Sequence, residues 1–296
     1  MSIKNTLRFI IAHPLNRASK ASALWRFAKW QISSRLAPGA VVFDWINGSR
    51  FLVKNGETGL TGNIYTGLHE FPDMAYLLHV LRREDLFIDV GANVGSYTLL
   101  ACAALGARGY AFEPVPLTHS RLVDNLRLNY LEERVQHPNV GVGSSAGQLV
   151  FTADEDTVNH ALSDGESCAN PVTVDVTTLD SALEHESPSL MKIDVEGFEK
   201  PVILGGEKTL SNPSLHSVIM ELNGSGGRYG IDESTILEMM FDHGFAAYSY
   251  EPFQRLLVNL KGKNLDSGNT LFIRDRAYVE ERVRTASKFT VNGCTL

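Results

Sequence analysis

The segment Leu86-Phe87-Ile88-Asp89-Val90-Gly91-Ala92-Asn93-Val94-Gly95-Ser96-Tyr97 constrains this chain more than any other. Phe87, Ile88 and Val90 suit a strand covered on both faces, as in a parallel sheet. Gly91 and Gly95 permit positive φ and let a ligand approach the backbone closely. The residues that follow, Thr98-Leu99-Leu100-Ala101, continue as a helix. A second apolar run, Gly109-Tyr110-Ala111-Phe112, ends in Glu113-Pro114. An acid at that strand end is where a nucleotide-binding βαβ unit grips ribose hydroxyls. Strand, glycine turn, helix and strand-ending acid together predict a cofactor site.

The kind of cofactor follows from what the turn lacks. A dinucleotide site favours Gly-x-Gly-x-x-Gly, and here Asn93 takes the middle glycine position and Ser96 the last. A phosphate loop needs Gly-Lys-Ser/Thr, and that triplet is missing from the chain. The remaining pattern, Asp-x-Gly-x-Asn-x-Gly, suits a ligand with an amino-acid end and a ribose but no phosphate. S-adenosylmethionine fits, with Asp89 near its ammonium, Glu113 on its ribose, and Gly91, Asn93, Gly95, Ser96 and Tyr97 along the turn. Glu70 and Phe71 are expected to border the methionine end.

Four motifs occur in order: Ile88-Asp89-Val90-Gly91-Ala92-Asn93-Val94-Gly95, Phe112-Glu113-Pro114, Asn125-Leu126-x-x-Asn129, and Met191-Lys192-Ile193-Asp194-Val195-Glu196-Gly197-Phe198-Glu199. Over residues 70–275 the chain resembles the FkbM family of S-adenosylmethionine-dependent methyltransferases, and the last block is specific to that family. The resemblance implies a class I methyltransferase fold and O-methylation of a hydroxyl on a sugar, glycolipid or secondary metabolite. It does not name the acceptor.

The three cysteines, Cys102, Cys168 and Cys294, are sparse and lack C-x-x-C spacing, which argues for a reducing compartment and against a zinc site. The start Met1-Ser2-Ile3-Lys4 shows no cleavage-site pattern, so a cytoplasmic protein is expected. Net charge is −7, yet no acid precedes Asp44. Lys4, Arg8, Arg17, Lys20, Arg26, Lys29 and Arg35 give the N-terminal segment +7, which leaves −14 for the remainder. So acidic a catalytic part disfavours nucleic acid as acceptor. Leu24, Phe27, Ala28 and Ile32 recur at helical spacing with Trp25 and Trp30 beside them. Such a basic helix either covers an edge of the fold or lies peripherally on an anionic membrane at its inner face.

Residues 1–70 therefore read as an N-terminal appendage of basic helix and β-hairpin, 71–280 as the catalytic domain, and 281–296 as a C-terminal tail. Residues 40–66 read as the hairpin, turning at Asn47-Gly48. Leu68–Arg83 and Leu117–Asn129 have helical spacing, and Val135–Val142 reads as one strand. An inserted hairpin is expected over about 147–178, around the polar stretch 152–170. Beyond it come a strand at 189–194, one helix over 200–210, a strand at 215–222 and a helix at 235–243. Strands at 245–250, 255–260 and 270–273 close the pattern. The alternation predicts an α/β, Rossmann-like, doubly wound sheet, mostly parallel with an antiparallel C-terminal edge.

Ligands of such sheets bind outside the carboxyl ends of the strands, where Asp89, Glu113, Asp194, Glu196, Glu221 and Asn223 should converge. Asp194 is the expected general base for an acceptor hydroxyl, with His160 of the insert as the alternative. Lys192 shares strand parity with Asp194 and is expected to hold it ionised. A Mg²⁺ ion on Asp194, Glu221 and Asn223 is a competing, less favoured device. Gly224-Ser225-Gly226-Gly227-Arg228-Tyr229 reads as a loop that could shape acceptor choice. Two other functions stay open: a nicotinamide oxidoreductase, weakened by Asn93, and a non-catalytic membrane-docked module, which has no use for Asp89, Glu113 and Asp194 together.

Overall fold

A computed structural model describes residues 3–37, 39–54, 56–153, 158–163 and 165–296. Residues 154–157 and 164 of the inserted stretch, and Met1-Ser2 at the start, lie outside the described residues. The strands are β1 (Val41–Asp44), β2 (Arg50–Val53), β3 (Leu86–Val90), β4 (Arg108–Phe112), β5 (Val135–Gln136), β6 (Gly141–Val142), β7 (Gly147–Thr152) and β8 (Pro171–Thr177). They continue with β9 (Leu190–Ile193), β10 (Ser217–Glu221), β11 (Ala246–Glu251), β12 (Leu256–Asn259), β13 (Asn269–Ile273), β14 (Thr290–Val291) and β15 (Cys294–Thr295).

Eight of them form the central sheet in the order β12-β11-β13-β10-β9-β3-β4-β5. Strands β10, β9, β3, β4 and β5 run parallel, while β13 is antiparallel to β10 and carries β11 and β12 on antiparallel ladders. The expected doubly wound sheet with an antiparallel C-terminal edge is what forms. Every residue of β3, β9 and β13 is buried, as a sheet with helices on both faces requires. Strand parity divides β3: Phe87 joins the core under the helices Phe71–Val80 and Pro116–Leu128, and Leu86, Ile88 and Val90 join the core on the opposite face. Asp89 shares the Phe87 side, where the helix beginning at Ser96 lies.

Several expected elements differ, each for a local reason. Thr58–Thr66, within the expected hairpin region, is a helix; Gly62 lets it approach the next turn, since a Cβ there would lie 2.4 Å from His69 Nδ1. The single strand expected over 135–142 is two, with β5 on the large sheet and β6 beside β8 in a three-stranded sheet with β7. Pro138 falls in the break and has no N–H for a ladder. The helix expected over 200–210 is split into Glu199–Leu204 and Glu207–Ser211. Gly205 interrupts it, because its Cα rests on the Gly143 carbonyl, 2.0 Å from any added Cβ.

In the helix Lys20–Leu36 the core side is Ala23, Trp30 and Ser34, with Phe27 packed beside them, whereas Leu24 and Ile32 are exposed. Residues 281–296, expected as a tail, finish the helix Arg276–Arg284 and form the β14–β15 hairpin. Val291, Cys294 and Leu296 join the core beneath the N-terminal helices, and Asn292 Nδ2 donates to Thr66 O at 2.7 Å. Among the described residues no helix is long and apolar enough to cross a membrane.

Candidate functional site

The carboxyl ends of β4, β3, β9 and β10 open onto a cavity of about 440 Å³, within the range of small-molecule sites. Its wall at β3 is the glycine turn. Gly91, Asn93 and Gly95 all have positive φ, 82°, 51° and 95°. Gly91 cannot be replaced without collision, because a Cβ would stand 1.8 Å from the Asp194 carbonyl oxygen. Gly95 ends the turn in the left-handed region, and no side chain caps the helix that starts at Ser96. Of its first N–H groups, that of Thr98 meets the Asp89 carboxylate, and those of Ser96 and Tyr97 precede it at the positive end of the turn. That helix passes into a π-helical turn at Leu99–Ala104, a form that recurs at functional sites.

Glu113 locks the turn. Its carboxylate accepts from Asn93 N at 3.0 Å and from Val115 N at 2.9 Å. Burial pushes it up to about 7, while those two N–H groups pull the other way. Each oxygen keeps a further lone pair toward the cavity that it lines. Phe112, Pro114, Thr118, Val140 and Val142 provide a mostly apolar wall beside it. Asn139, freed by the break before β6, donates to Glu113 O at 2.8 Å and fixes this corner.

The other end of the turn is a buried polar network. Thr98 Oγ1 donates to Asp89 Oδ2 at 2.6 Å, and burial raises Asp89 to about 6. Tyr97 OH donates to Glu70 Oε2 at 2.5 Å. Asn269 Nδ2 donates to both Glu70 and Asp73, each at 3.2 Å. Burial, then the neighbouring Glu70, holds Asp73 up at about 7. Sequence reasoning found Glu70 and Tyr97 but missed Asp73 and Asn269; a lone acid among Phe71, Met74 and Ala75 was the available signal.

Across the turn lies a second group of charges. Lys192 is opposite Asp89 in the β3–β9 register and is buried, with Nζ 2.8 Å from Asp194 Oδ2 and 5.1 Å from the centre of the Tyr97 ring. Burial opposes its charge, but Asp194, Glu70 and Glu221 together hold its pKa above the ordinary lysine value. Burial likewise opposes charge on Asp194, and Lys192 overrides it, so Asp194 titrates below the usual range. Burial and Asp194 push Glu221 up to about 9, so it keeps its proton and shares it with Asp194. Glu196, at φ 53°, is raised to about 7 by burial and Asp194.

Carboxylate oxygens of Asp194, Glu196 and Glu221 lie within 4.8 Å of one another. The set expected for a metal, Asp194, Glu221 and Asn223, is not what meets: Asn223 lines the cavity but turns its Oδ1 to Ser225 N, 2.9 Å away. Lys192 already supplies positive charge inside the cluster. His160 stays out of the cavity wall, to which the insert contributes Phe151, Val158 and Asn159. Its Nδ1 meets Val158 O at 2.9 Å and its Nε2 meets Glu166 Oε1 at 3.0 Å. Both ring nitrogens are thus engaged within the insert itself.

The loop expected to shape acceptor choice is tied to both neighbours. Tyr229 OH donates to Ala161 O of the insert at 2.5 Å, and Arg228 Nη1 donates to Glu196 O at 3.1 Å. Gly197 lies directly beneath it, because an added Cβ would be 2.5 Å from Ser225 O. The appendage also reaches the cavity, through Gly59 and His69.

The hexuronic acid methyltransferase AglP of Haloferax volcanii is 28% identical, over 55% of this chain and 64% of its own. The chain thus spans less than two thirds of that relative. The 31-O-demethyl-FK506 methyltransferase FkbM of Streptomyces tacrolimicus is 24% identical, over 59% of this chain and 78% of its own. Among solved structures, the methyltransferase FkbM of Methylobacillus flagellatus superposes with a TM-score of 0.44 at 14% identity, over 86% of this chain and 60% of that one. Residues 89–281, from the acid of the glycine turn to the helix after the sheet, match the methyltransferase FkbM domain, and the chain belongs to that family.

Proposed function

We propose that the protein transfers the methyl group of S-adenosylmethionine to a hydroxyl of a saccharide, glycolipid or secondary metabolite. The observation that carries this reading is that the Glu113-locked glycine turn and the Lys192–Asp194 pair open on one cavity. The bound sulfonium supplies an electrophilic methyl whose carbon–sulfur electron pair leaves with sulfur. Glu113 would accept the ribose hydroxyls, and the apolar wall around Phe112 and Val142 would take the base. The uncapped N–H groups at Ser96 and Tyr97 would hold the methionine carboxylate, with Asp89 and Glu70 facing its ammonium.

Asp194 would receive the acceptor proton as the oxygen–carbon bond forms. Lys192 keeps that carboxylate ionised and oriented, and it is a positioning residue. Holding the acceptor in line with the donor contributes much of the rate. The basic N-terminal helices would keep the enzyme peripheral at the inner face of a membrane, near a lipid-carried acceptor.

Calorimetry tests the donor: S-adenosylmethionine and its demethylated product should bind, and nicotinamide nucleotides should not. Binding of NAD in preference to either would overturn the reading. A screen of cell-envelope sugars with labelled methyl donor then identifies the acceptor, and label appearing in no hydroxyl compound would reject O-methylation.

A further inference from the structure

On the helix Lys20–Leu36, Ala23, Trp30 and Ser34 face the core, and Trp25, Lys29, Ile32 and Leu36 are all exposed. At 3.6 residues per turn these last four fall within an arc of about 60°, directly opposite the buried face. Trp25 is 67% exposed, Ile32 61% and Leu36 79%, so three large apolar side chains form one outward stripe around a lysine.

The same segment is cationic, with Lys29 inside the stripe and Arg35 at its flank. Lys20, Lys29 and Arg35 of this helix and Lys4, Arg8 and Arg17 before it are exposed. Among the described residues none of the six has an acidic partner within ion-pair distance. The seventh base, Arg26, is turned inward to Asn16 Oδ1 at 2.6 Å and Tyr65 O at 3.1 Å. The helix is therefore held from behind, and its outer face has a fixed orientation. It packs on the helix Thr58–Thr66, whose Gly59 lines the cavity. One layer of protein separates stripe and site.

We propose that this face is a docking surface for an anionic lipid bilayer. Tryptophan and branched aliphatics interleaved with lysine and arginine suit the headgroup boundary, where apolar rings sit shallowly and cations meet phosphate. The charge is complementary and confined to this segment: the rest of the chain is acidic and would be repelled from the same membrane. Docking thus orients the molecule as well as localising it, and it turns the N-terminal side of the cavity wall toward the lipid.

Removal of the whole segment is not a usable test, because Ile10, Leu15, Ala23 and Trp30 belong to the core. Surface substitutions are. Full-length protein should sediment with vesicles of equimolar phosphatidylcholine and phosphatidylserine at low salt, be released by high salt, and ignore pure phosphatidylcholine. Lys29→Gln with Arg35→Gln should weaken partition about 25-fold, at about fivefold per base. Trp25→Ser with Ile32→Ser and Leu36→Ser should abolish it. Both variants should keep the wild-type thermal midpoint, which separates lost docking from lost folding.

Equal binding to neutral and anionic vesicles, no binding at low salt, or variants that bind as wild type would overturn the proposal. So would self-association of the wild-type protein, seen by sedimentation equilibrium and removed by the same serine substitutions, since the stripe would then belong to a second copy of the chain.

Discussion

The two halves of the cavity are built on different terms. The proposed donor half consists of acids each fixed by neighbours on the sheet or its flanking helices: buried Glu113 on two backbone N–H groups, buried Asp89 on the Thr98 hydroxyl, and half-buried Glu70 on the side chains of Tyr97 and Asn269. The proposed acceptor half carries a partly exposed acid, Asp194 at 29% side-chain exposure, under a rim where one hydroxyl, that of Tyr229, reaches from a loop to a backbone carbonyl of the insert. A ligand common to a whole family can be met by groups anchored on the sheet itself, where buried neighbours tolerate little change. An acceptor that differs between members is met by elements outside the sheet.

If that contrast is right, the halves fail differently. Asp194→Asn should lower turnover about 10²–10⁴-fold, the usual contribution of a positioned base, with donor affinity within twofold by calorimetry. Activity that survives this change but disappears in His160→Ala would move the base to the insert and blur the division.

Glu113→Ala should act on the other half. Losing charge-assisted bonds to the ribose costs about 1.5–3 kcal/mol, read as a matching rise in the dissociation constant of both S-adenosylmethionine and its demethylated product. Unchanged affinity would remove Glu113 from the ribose.

Stability should follow the donor half as well. Asp73 holds its proton up to about 7 in the folded chain and releases it near 4 when unfolded. Between those values the folded state binds more protons, so the contribution of Asp73 to stability is fully present below about pH 4 and is lost as pH rises through 7. Asp73→Asn should remove that part of the decline, raising stability near neutrality by up to about 4 kcal/mol. Denaturation midpoints across pH 4–8 give the answer, and parallel curves for the two proteins would contradict it.

The smallest effect belongs to the rim. Tyr229→Phe removes one hydrogen bond to Ala161 O, worth about 0.5–1.5 kcal/mol. It should raise the acceptor KM severalfold with kcat and donor affinity unchanged. A change in donor affinity instead would show that the halves are not separate.

The sheet and the donor half were legible in the sequence because they obey local rules. Buried strands are continuous apolar runs, positive φ at Gly91 and Gly95 calls for glycine, and a strand-ending acid sits at a fixed offset from both. Parity on β9 likewise placed Lys192 beside Asp194. What escaped depends on distant packing. Asn269 meets Asp73 only because β13 inserts between β10 and β11, and no periodicity announces that. Helical spacing groups Leu24, Phe27, Ala28 and Ile32 on the Lys20–Leu36 helix, but Trp30 and Ile32 are equally apolar, and packing against the helices Ile3–Ala12 and Thr58–Thr66 decides that Trp30 is the one covered. His160 looked available until its two acceptors, both within six residues, were visible in three dimensions.

The contact between Gly91 and the Asp194 carbonyl has a mechanical consequence. With no room for even one methyl group between them, and with Asp194 N bonded to Val90 O at 2.9 Å, the glycine turn and the proposed base form a single seam. Neither can swing aside without the other, so traffic in and out of the cavity must use the rim, where Tyr229 and the insert are joined by one hydroxyl. The same seam lets the rim be exchanged for another without misaligning the chemistry beneath, which is a physical route by which one scaffold could serve many acceptors.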